Sequence, residues 1–124
     1  MNHSPAFLRL VDAAKARVRE VTVEDLLLRR AEEGAGPLVL DVREESEWAA
    51  GHIEGARYLG RGVLERDIEA LVPELDRELV LYCGGGFRSA LSADSLQQMG
   101  FRSVASLAGG WKAWRAAGGP VVIP

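Results

Sequence analysis

Leu79-Val80-Leu81-Tyr82-Cys83-Gly84-Gly85-Gly86-Phe87-Arg88-Ser89 is the stretch on which the reading of this chain turns. Leu79 to Tyr82 is a short, wholly apolar run, the pattern of a strand buried on both faces. Three glycines then break it abruptly. Ser89 to Met99 follows with Leu91, Leu96 and Met99 at helical spacing and Gly100 as its stop. A buried strand, a glycine turn and a helix make one unit of an alternating α/β chain.

The neighbours on either side repeat the alternation. Downstream, Ser103 to Leu107 reads as a strand, and Gly109-Gly110 turns into a short helix holding Trp111 and Trp114, ended by Gly118-Gly119-Pro120. Upstream, Leu38-Val39-Leu40-Asp41-Val42 is a buried strand carrying one acid. Glu44 to Ala50 is a helix stopped by Gly51, and the chain returns to the sheet near Ala56–Leu59. Leu64, Ile68 and Leu71 mark a helix ended by Pro73. Ser4-Pro5 opens a first helix with Leu8, Val11, Ala14 and Val18 on one face, running to about Arg19. Thr22 and Asp25 form a capping box for a second helix through Leu26, Leu27 and Arg30, closed by Gly34. Strands alternating with helices predict an α/β fold with a mostly parallel central sheet and helices on both faces. Ligands of such sheets bind beyond the carboxyl ends of the strands. The residue that follows strand 79–82 is Cys83, the only cysteine.

Composition narrows the function classes. The chain has 124 residues, 48% hydrophobic and 27% charged, which fits one ordinary folded domain. No uncharged run is longer than that from Leu79 to Phe87, too short to span a bilayer. The N-terminus carries no basic stretch followed by an apolar one, so the cytoplasm is the expected compartment and no membrane partner is expected. A net charge of −3 argues against nucleic acid as a partner. The charge is uneven: residues 41–78 hold 11 acidic and 5 basic side chains, whereas residues 79–124 hold 1 acidic and 4 basic. One cysteine excludes an internal disulfide, and with two histidines it gives no metal-ligand spacing. Neither a metal nor a cofactor is expected.

The chemistry concentrates in Cys83–Ser89. Glycines permit a tight curl with positive φ. A curled loop entering a helix points several N–H groups inward as an anion-binding nest, and the helix adds partial positive charge there. A thiol on its rim is expected to favour the thiolate. Arg88 adds a permanent cation. A buried structural cysteine would need neither three glycines nor a cation at a helix start, where it opposes the dipole. Without a second cysteine no dithiol cycle is available, which leaves nucleophilic chemistry through one thiolate. Acyl transfer would want a general base, and only His3 and His52 exist. Sulfur transfer and phosphoryl transfer remain close on these residues alone.

At this point the chain resembles the rhodanese (sulfurtransferase) family in its single-domain form, from about Val21 to Val121. Leu38-Val39-Leu40-Asp41-Val42-Arg43-x-x-x-Glu47-Trp48 is similar to the family's opening strand and its D-x-R-x-x-x-E-aromatic signature. Gly51-His52-Ile53-Glu54-Gly55-Ala56 resembles its G-H-I-x-G-A segment, and Leu107-Ala108-Gly109-Gly110-Trp111-x-x-Trp114 its closing element. Cys83 to Arg88 matches the six-residue active loop. The resemblance implies a rhodanese-like three-layer fold over residues 21–124, with residues 1–20 an N-terminal helical extension. It also separates the two chemistries. Four residues lie between Cys83 and Arg88, whereas the related cell-cycle phosphatases have a loop one residue longer. The shorter loop implies a sulfurtransferase. Cys83 would take a sulfane sulfur from a small anionic donor, hold it as a persulfide, and pass it to cyanide, a small thiol or a protein thiol. The backbone N–H groups of Gly84, Gly85, Gly86, Phe87 and Arg88 would cradle the sulfur. The alternatives are a sulfur carrier or interaction module without turnover and, behind it, a cysteine-dependent phosphatase.

Side chains around the loop have more ordinary expected roles. Arg88 either steers an anionic donor or braces the loop against a carboxylate. Gly84 stands where thiosulfate-handling members often place a cation, which brings protein or low-molecular-weight persulfides in as donors. Asp41 and Arg43 are expected in structural ion pairs, Arg43 with Glu47, because unpaired buried charge is costly. His52 is expected to be a turn residue, Arg61 solvated, and Trp111 and Trp114 packing aromatics.

Overall fold

A computed structural model describes residues 3–32 and 36–124. Helix α1 (Pro5–Lys15) leads to β1 (Arg19–Val21) and α2 (Val23–Ala31). Strand β2 (Leu38–Asp41), helix α3 (Glu45–Ala50) and the short strands β3 (His52–Ile53) and β4 (Arg57–Tyr58) follow. A 3₁₀ turn at Arg61–Val63 enters α4 (Leu64–Leu71). The chain closes with β5 (Leu79–Tyr82), α5 (Phe87–Gln98), β6 (Val104–Leu107), α6 (Gly110–Ala116) and β7 (Val121–Val122).

Five strands form one sheet in the order β1-β6-β5-β2-β4, every neighbouring pair parallel. Strand alternation splits its side chains between two layers. Leu40, Val42, Leu79, Leu81, Cys83 and Val104 face α4 and α5, meeting Leu64, Ile68, Ala90, Ala93 and Leu96. Val39, Val80, Tyr82 and Leu107 face the other way, onto Leu26 of α2 and Trp114 of α6. This is the expected α/β arrangement, with helices on both faces of a parallel sheet. No helix among the described residues is long and apolar enough to cross a membrane.

Local signals account for most element ends. Ser4 Oγ accepts from Phe7 N at 3.1 Å ahead of Pro5. Thr22 and Asp25 form a reciprocal capping box at 3.1 and 3.0 Å. Gly34, expected to close α2, lies outside the described residues. Three expectations need correction. The first helix stops at Lys15, and the residues after it turn into β1, which pairs with β6 through Arg19, Glu20 and Val21. Leu8 is not on the packed face of α1: Phe7, Val11 and Ala14 meet Phe87 and Leu91, while Leu8 and Leu10 are exposed. Helix α5 begins at Phe87, two residues before Ser89. A two-stranded antiparallel pair, β3 with β7, was not visible in the periodicity because each strand has only two residues.

Candidate active site

Cys83 leaves the central strand β5 at its carboxyl end, on the side of α5. The next three residues lead straight into that helix, so the cysteine side chain lies under the helix's first turn. Gly86 N–H donates to Cys83 Sγ at 3.2 Å and Ser89 N–H donates at 3.3 Å. A helix start leaves its first amides without intrahelical acceptors. Here the sulfur does for α5 what a serine or aspartate oxygen does at an ordinary N-cap. Both amides and the helix end therefore favour negative charge on that atom.

The glycines have unequal parts. Only Gly86 of the three has positive φ, at +97°, and a Cβ there would lie 3.2 Å from Gly109 N. A Cβ at Gly85 would meet nothing within 4 Å. The expectation that all three glycines serve the curl is thus narrowed to Gly86. Helix α6 pins the loop from its far side: Trp111 N–H donates to Cys83 O at 2.7 Å and Lys112 N–H to Gly84 O at 3.1 Å. The approach is close enough that a Cβ on Gly110 would stand 2.3 Å from Cys83 O.

Of the five amides expected to cradle the sulfur, Gly86 bonds it. Gly84, Gly85, Phe87 and Arg88 donate no hydrogen bond to Sγ, and Ser89, one residue beyond the expected set, does. Cys83 is only 1% exposed, while Gly85 at the crest of the loop is open to solvent.

Arg88 is braced. Its Nη1 and Nη2 donate to Glu47 Oε1 and Oε2 at 2.8 and 3.2 Å. The Glu47 carboxylate holds the guanidinium above the ordinary arginine range, with the Cys83 sulfur as a lesser neighbour. Arg88 in turn holds Glu47 below the usual carboxylate range. The stabilisation from this pair is therefore complete above the ordinary glutamate range and disappears as acid titrates Glu47 through its lowered value. Glu47 was expected on Arg43, so the partners are exchanged. Arg43 instead donates from Nη2 to Asp41 Oδ2 at 2.7 Å and to Gly51 O at 2.6 Å, and its Nε donates to Asp41 Oδ1 and Oδ2 at 3.1 Å. The reason is strand geometry: Asp41 and Arg43, two residues apart, point to the same side of β2 and its extension. Tyr82 O–H also donates to Asp41 Oδ2, at 2.6 Å, and accepts from Ile53 N–H. Burial first, and then Asp41, push the Tyr82 phenol well above its ordinary range.

The remaining expected residues fall where structure needs them. His52 stacks on Trp48 with ring centroids 3.4 Å apart and meets Trp48 O through Nδ1 at 3.1 Å. Trp114 is fully buried and donates to Pro120 O. The Arg43 and Arg115 guanidinium groups lie over the Trp111 ring at 4.7 and 5.4 Å from its centroid, and Arg61 is exposed. The His3 ring meets those of Phe7 and Phe87, with centroids 5.1 and 4.8 Å away. Sequence reasoning missed Ser89 and Ser106, whose hydroxyls meet at 2.7 Å beneath the cysteine. No pattern marked Ser106, a lone serine in an apolar strand. A cavity of about 480 Å³, lined among others by Leu26, Arg29, Glu78 and Val80, does not include Cys83.

A single thiol lies under a helix start at the carboxyl edge of a parallel sheet, with two backbone amides donating to its sulfur, in an α/β domain with helices on both faces. Residues 22–117 match the model of the rhodanese-like domain. A thiosulfate sulfurtransferase of Stutzerimonas stutzeri, GlpE, is 38% identical over 81 residues, which is 65% of this chain and 72% of that protein. Protein RPA3614 of Rhodopseudomonas palustris, described as a possible tyrosine phosphatase of unknown function, superposes with a TM-score of 0.87 at 32% identity and covers 98% of both chains. A rhodanese-related protein of Thermoplasma volcanium superposes with a TM-score of 0.74 at 29% identity, covering 86% of this chain and 99% of its own. The chain belongs to the rhodanese-like domain family. At the family level, the match and the curated relatives support sulfurtransferase activity in general.

Proposed function

We propose that the chain moves a sulfane sulfur from a donor to a thiophilic acceptor through a persulfide on Cys83. The observation that carries this reading is the pair of amide donors on Cys83 Sγ, from Gly86 and Ser89, in a loop with four residues before Arg88. In the first half-reaction the Cys83 thiolate attacks the outer sulfur of the donor. A Cys83 S–S bond forms, the donor's bond to that sulfur breaks, and the leaving group departs with the electron pair. With thiosulfate the leaving group is sulfite, and charge balances without a proton or a redox cofactor. In the second half-reaction an acceptor attacks the outer sulfur, and Cys83 leaves as the thiolate it began as. The helix end and the amides that hold the anionic sulfur serve both steps. The amides of Gly84, Gly85, Phe87 and Arg88, which do not bond Sγ, are left to meet the outer sulfur. Arg88 is assigned to bracing rather than to gripping the donor, because Glu47 already takes both of its terminal nitrogens.

Turnover is tested with thiosulfate as donor and cyanide as acceptor, reading thiocyanate. Cys83-dependent product is the expected result, and equal product from Cys83→Ser would overturn the proposal. Loading without turnover on cyanide or small thiols would assign the chain as a carrier that hands sulfur to a protein thiol. Arg88→Ala is expected to slow alkylation of Cys83 by iodoacetamide at neutral pH by a few-fold only, since Glu47 offsets the arginine's charge. A rate lowered a hundredfold would mean that Arg88, and not the backbone, holds the sulfur's charge.

A further inference from the structure

Behind Cys83 the hydrogen bonding continues into the protein. Cys83 Sγ lies 3.5 Å from Ser89 Oγ, and Ser89 Oγ lies 2.7 Å from Ser106 Oγ. Both serines are completely buried. Ser106 stands in β6 beside Leu81 of β5, and like Val104 two residues earlier it faces α5. Its hydroxyl has no other hydrogen-bond partner among the described residues. Two buried hydroxyls in an otherwise apolar layer are costly unless they are satisfied.

We infer that Ser106 is a positioning residue that, through Ser89, aims a hydroxyl proton at the anionic sulfur of Cys83. This rests on the proposed function only in taking the thiolate and the persulfide as the working states. The chain Ser106–Ser89–Cys83 has two gaps, and each gap holds one proton. When the sulfur is anionic, two hydroxyl protons are present and both gaps are filled: Ser106 donates to Ser89, and Ser89 donates to Sγ. A protonated thiol brings a third proton: Sγ then donates to Ser89 Oγ and Ser89 to Ser106 Oγ, and the Ser106 proton is left without a partner among the described residues. The count therefore matches a sulfur without a proton, as in the thiolate and at the inner sulfur of the persulfide. Ser106 matters because its proton has nowhere to go but Ser89 Oγ. With that position taken, the Ser89 proton is committed to the sulfur. Without Ser106, the Ser89 hydroxyl is free to turn to the backbone carbonyl one helical turn back, as serines in helices do.

The charged group beside the sulfur is Arg88 of α5, backed by Glu47 of α3. Helix α6 contributes backbone N–H groups to the loop, and the side chains of Lys112 on α6 and Arg61 after β4 are exposed. All of these remain in serine variants, so a change in the pH profile reports the hydroxyls.

The test is the pH–rate profile of Cys83 alkylation by iodoacetamide, read by intact mass, for wild type, Ser89→Ala, Ser106→Ala and the double variant. Alanine takes no more room than serine, so both sites keep their packing. Ser89→Ala is expected to move the half-maximal pH upward by about one unit, the loss of one hydrogen bond to a charged group. Ser106→Ala is expected to move it in the same direction by less. The double variant is expected to match Ser89→Ala, because Ser106 acts through Ser89 alone. A Ser106→Ala profile that overlays wild type, or a Ser106→Ala shift that persists in the Ser89→Ala background, would overturn the inference. Thiosulfate loading of the wild type, read separately by mass, tests the proposed function and does not depend on Ser106.

Discussion

Asp41→Ala is expected to destabilise the fold by about 3–5 kcal/mol, the cost of removing one partner from a buried ion pair. Asp41 is fully buried and Arg43 is 3% exposed. Burial works against the Arg43 charge, and the bonds and charge of Asp41 outweigh it, so that the guanidinium is held above its ordinary range. Alanine at 41 leaves that charge in the interior with Gly51 O as its remaining hydrogen-bond acceptor. It also takes the acceptor from the Tyr82 hydroxyl. Thermal unfolding should fall by on the order of 10 °C or more. The companion variant Asp41→Ala/Arg43→Met should recover part of the loss, because the stranded charge is gone. A double variant no more stable than Asp41→Ala would show that the penalty comes from packing and not from the unpaired cation.

Gly110→Ala should cost activity more than any other single methyl group added to the chain. Gly110 has φ of +53°, already a strained region for a side chain. Its new Cβ would fall 2.3 Å from Cys83 O and 3.0 Å from the carbonyl carbons of Cys83 and Gly84. Those are backbone atoms and cannot swing aside. Either α6 or the cysteine loop must move, and the bonds from Trp111 and Lys112 to the loop carbonyls are lost. A displacement of about 1 Å at a reacting group costs on the order of 100-fold in rate. Sulfur loading should fall by that order. Gly62→Ala, where a Cβ meets nothing within 4 Å, is the control and should load as wild type does. Normal loading by Gly110→Ala would mean that α6 does not set the loop's position.

The layered fold was legible because its strands are apolar and its helices end at glycine, proline or a capping box. Leu79–Tyr82 and Leu38–Asp41 announce themselves by composition, and the two layers they separate follow from alternation. Strands β1, β3 and β7 were not legible: they run two or three residues, and their partners lie far along the chain. The cysteine loop was readable as a strand–glycine–helix junction. The division of labour within it was not. Gly84, Gly85 and Gly86 look alike as letters, and only the path of the chain past Gly109 makes Gly86 the strained one. The exchange of ion-pair partners has a similar origin. Glu47 is four residues from Arg43, which suggests a local pair, but Asp41 shares Arg43's side of the strand and Arg88 reaches Glu47 from another helix. Ser106 carried no signal, since its importance comes from the three-dimensional neighbour beneath the helix start.

The direct measurement is the intact mass of the wild-type protein and of Cys83→Ser after exposure to thiosulfate and to a low-molecular-weight persulfide, with and without a subsequent thiol acceptor. The expected result is a gain of one sulfur atom on the wild type, none on Cys83→Ser, and return to the starting mass once the acceptor is added. A wild type that gains no sulfur from either donor, or a Cys83→Ser protein that gains as much, would contradict it.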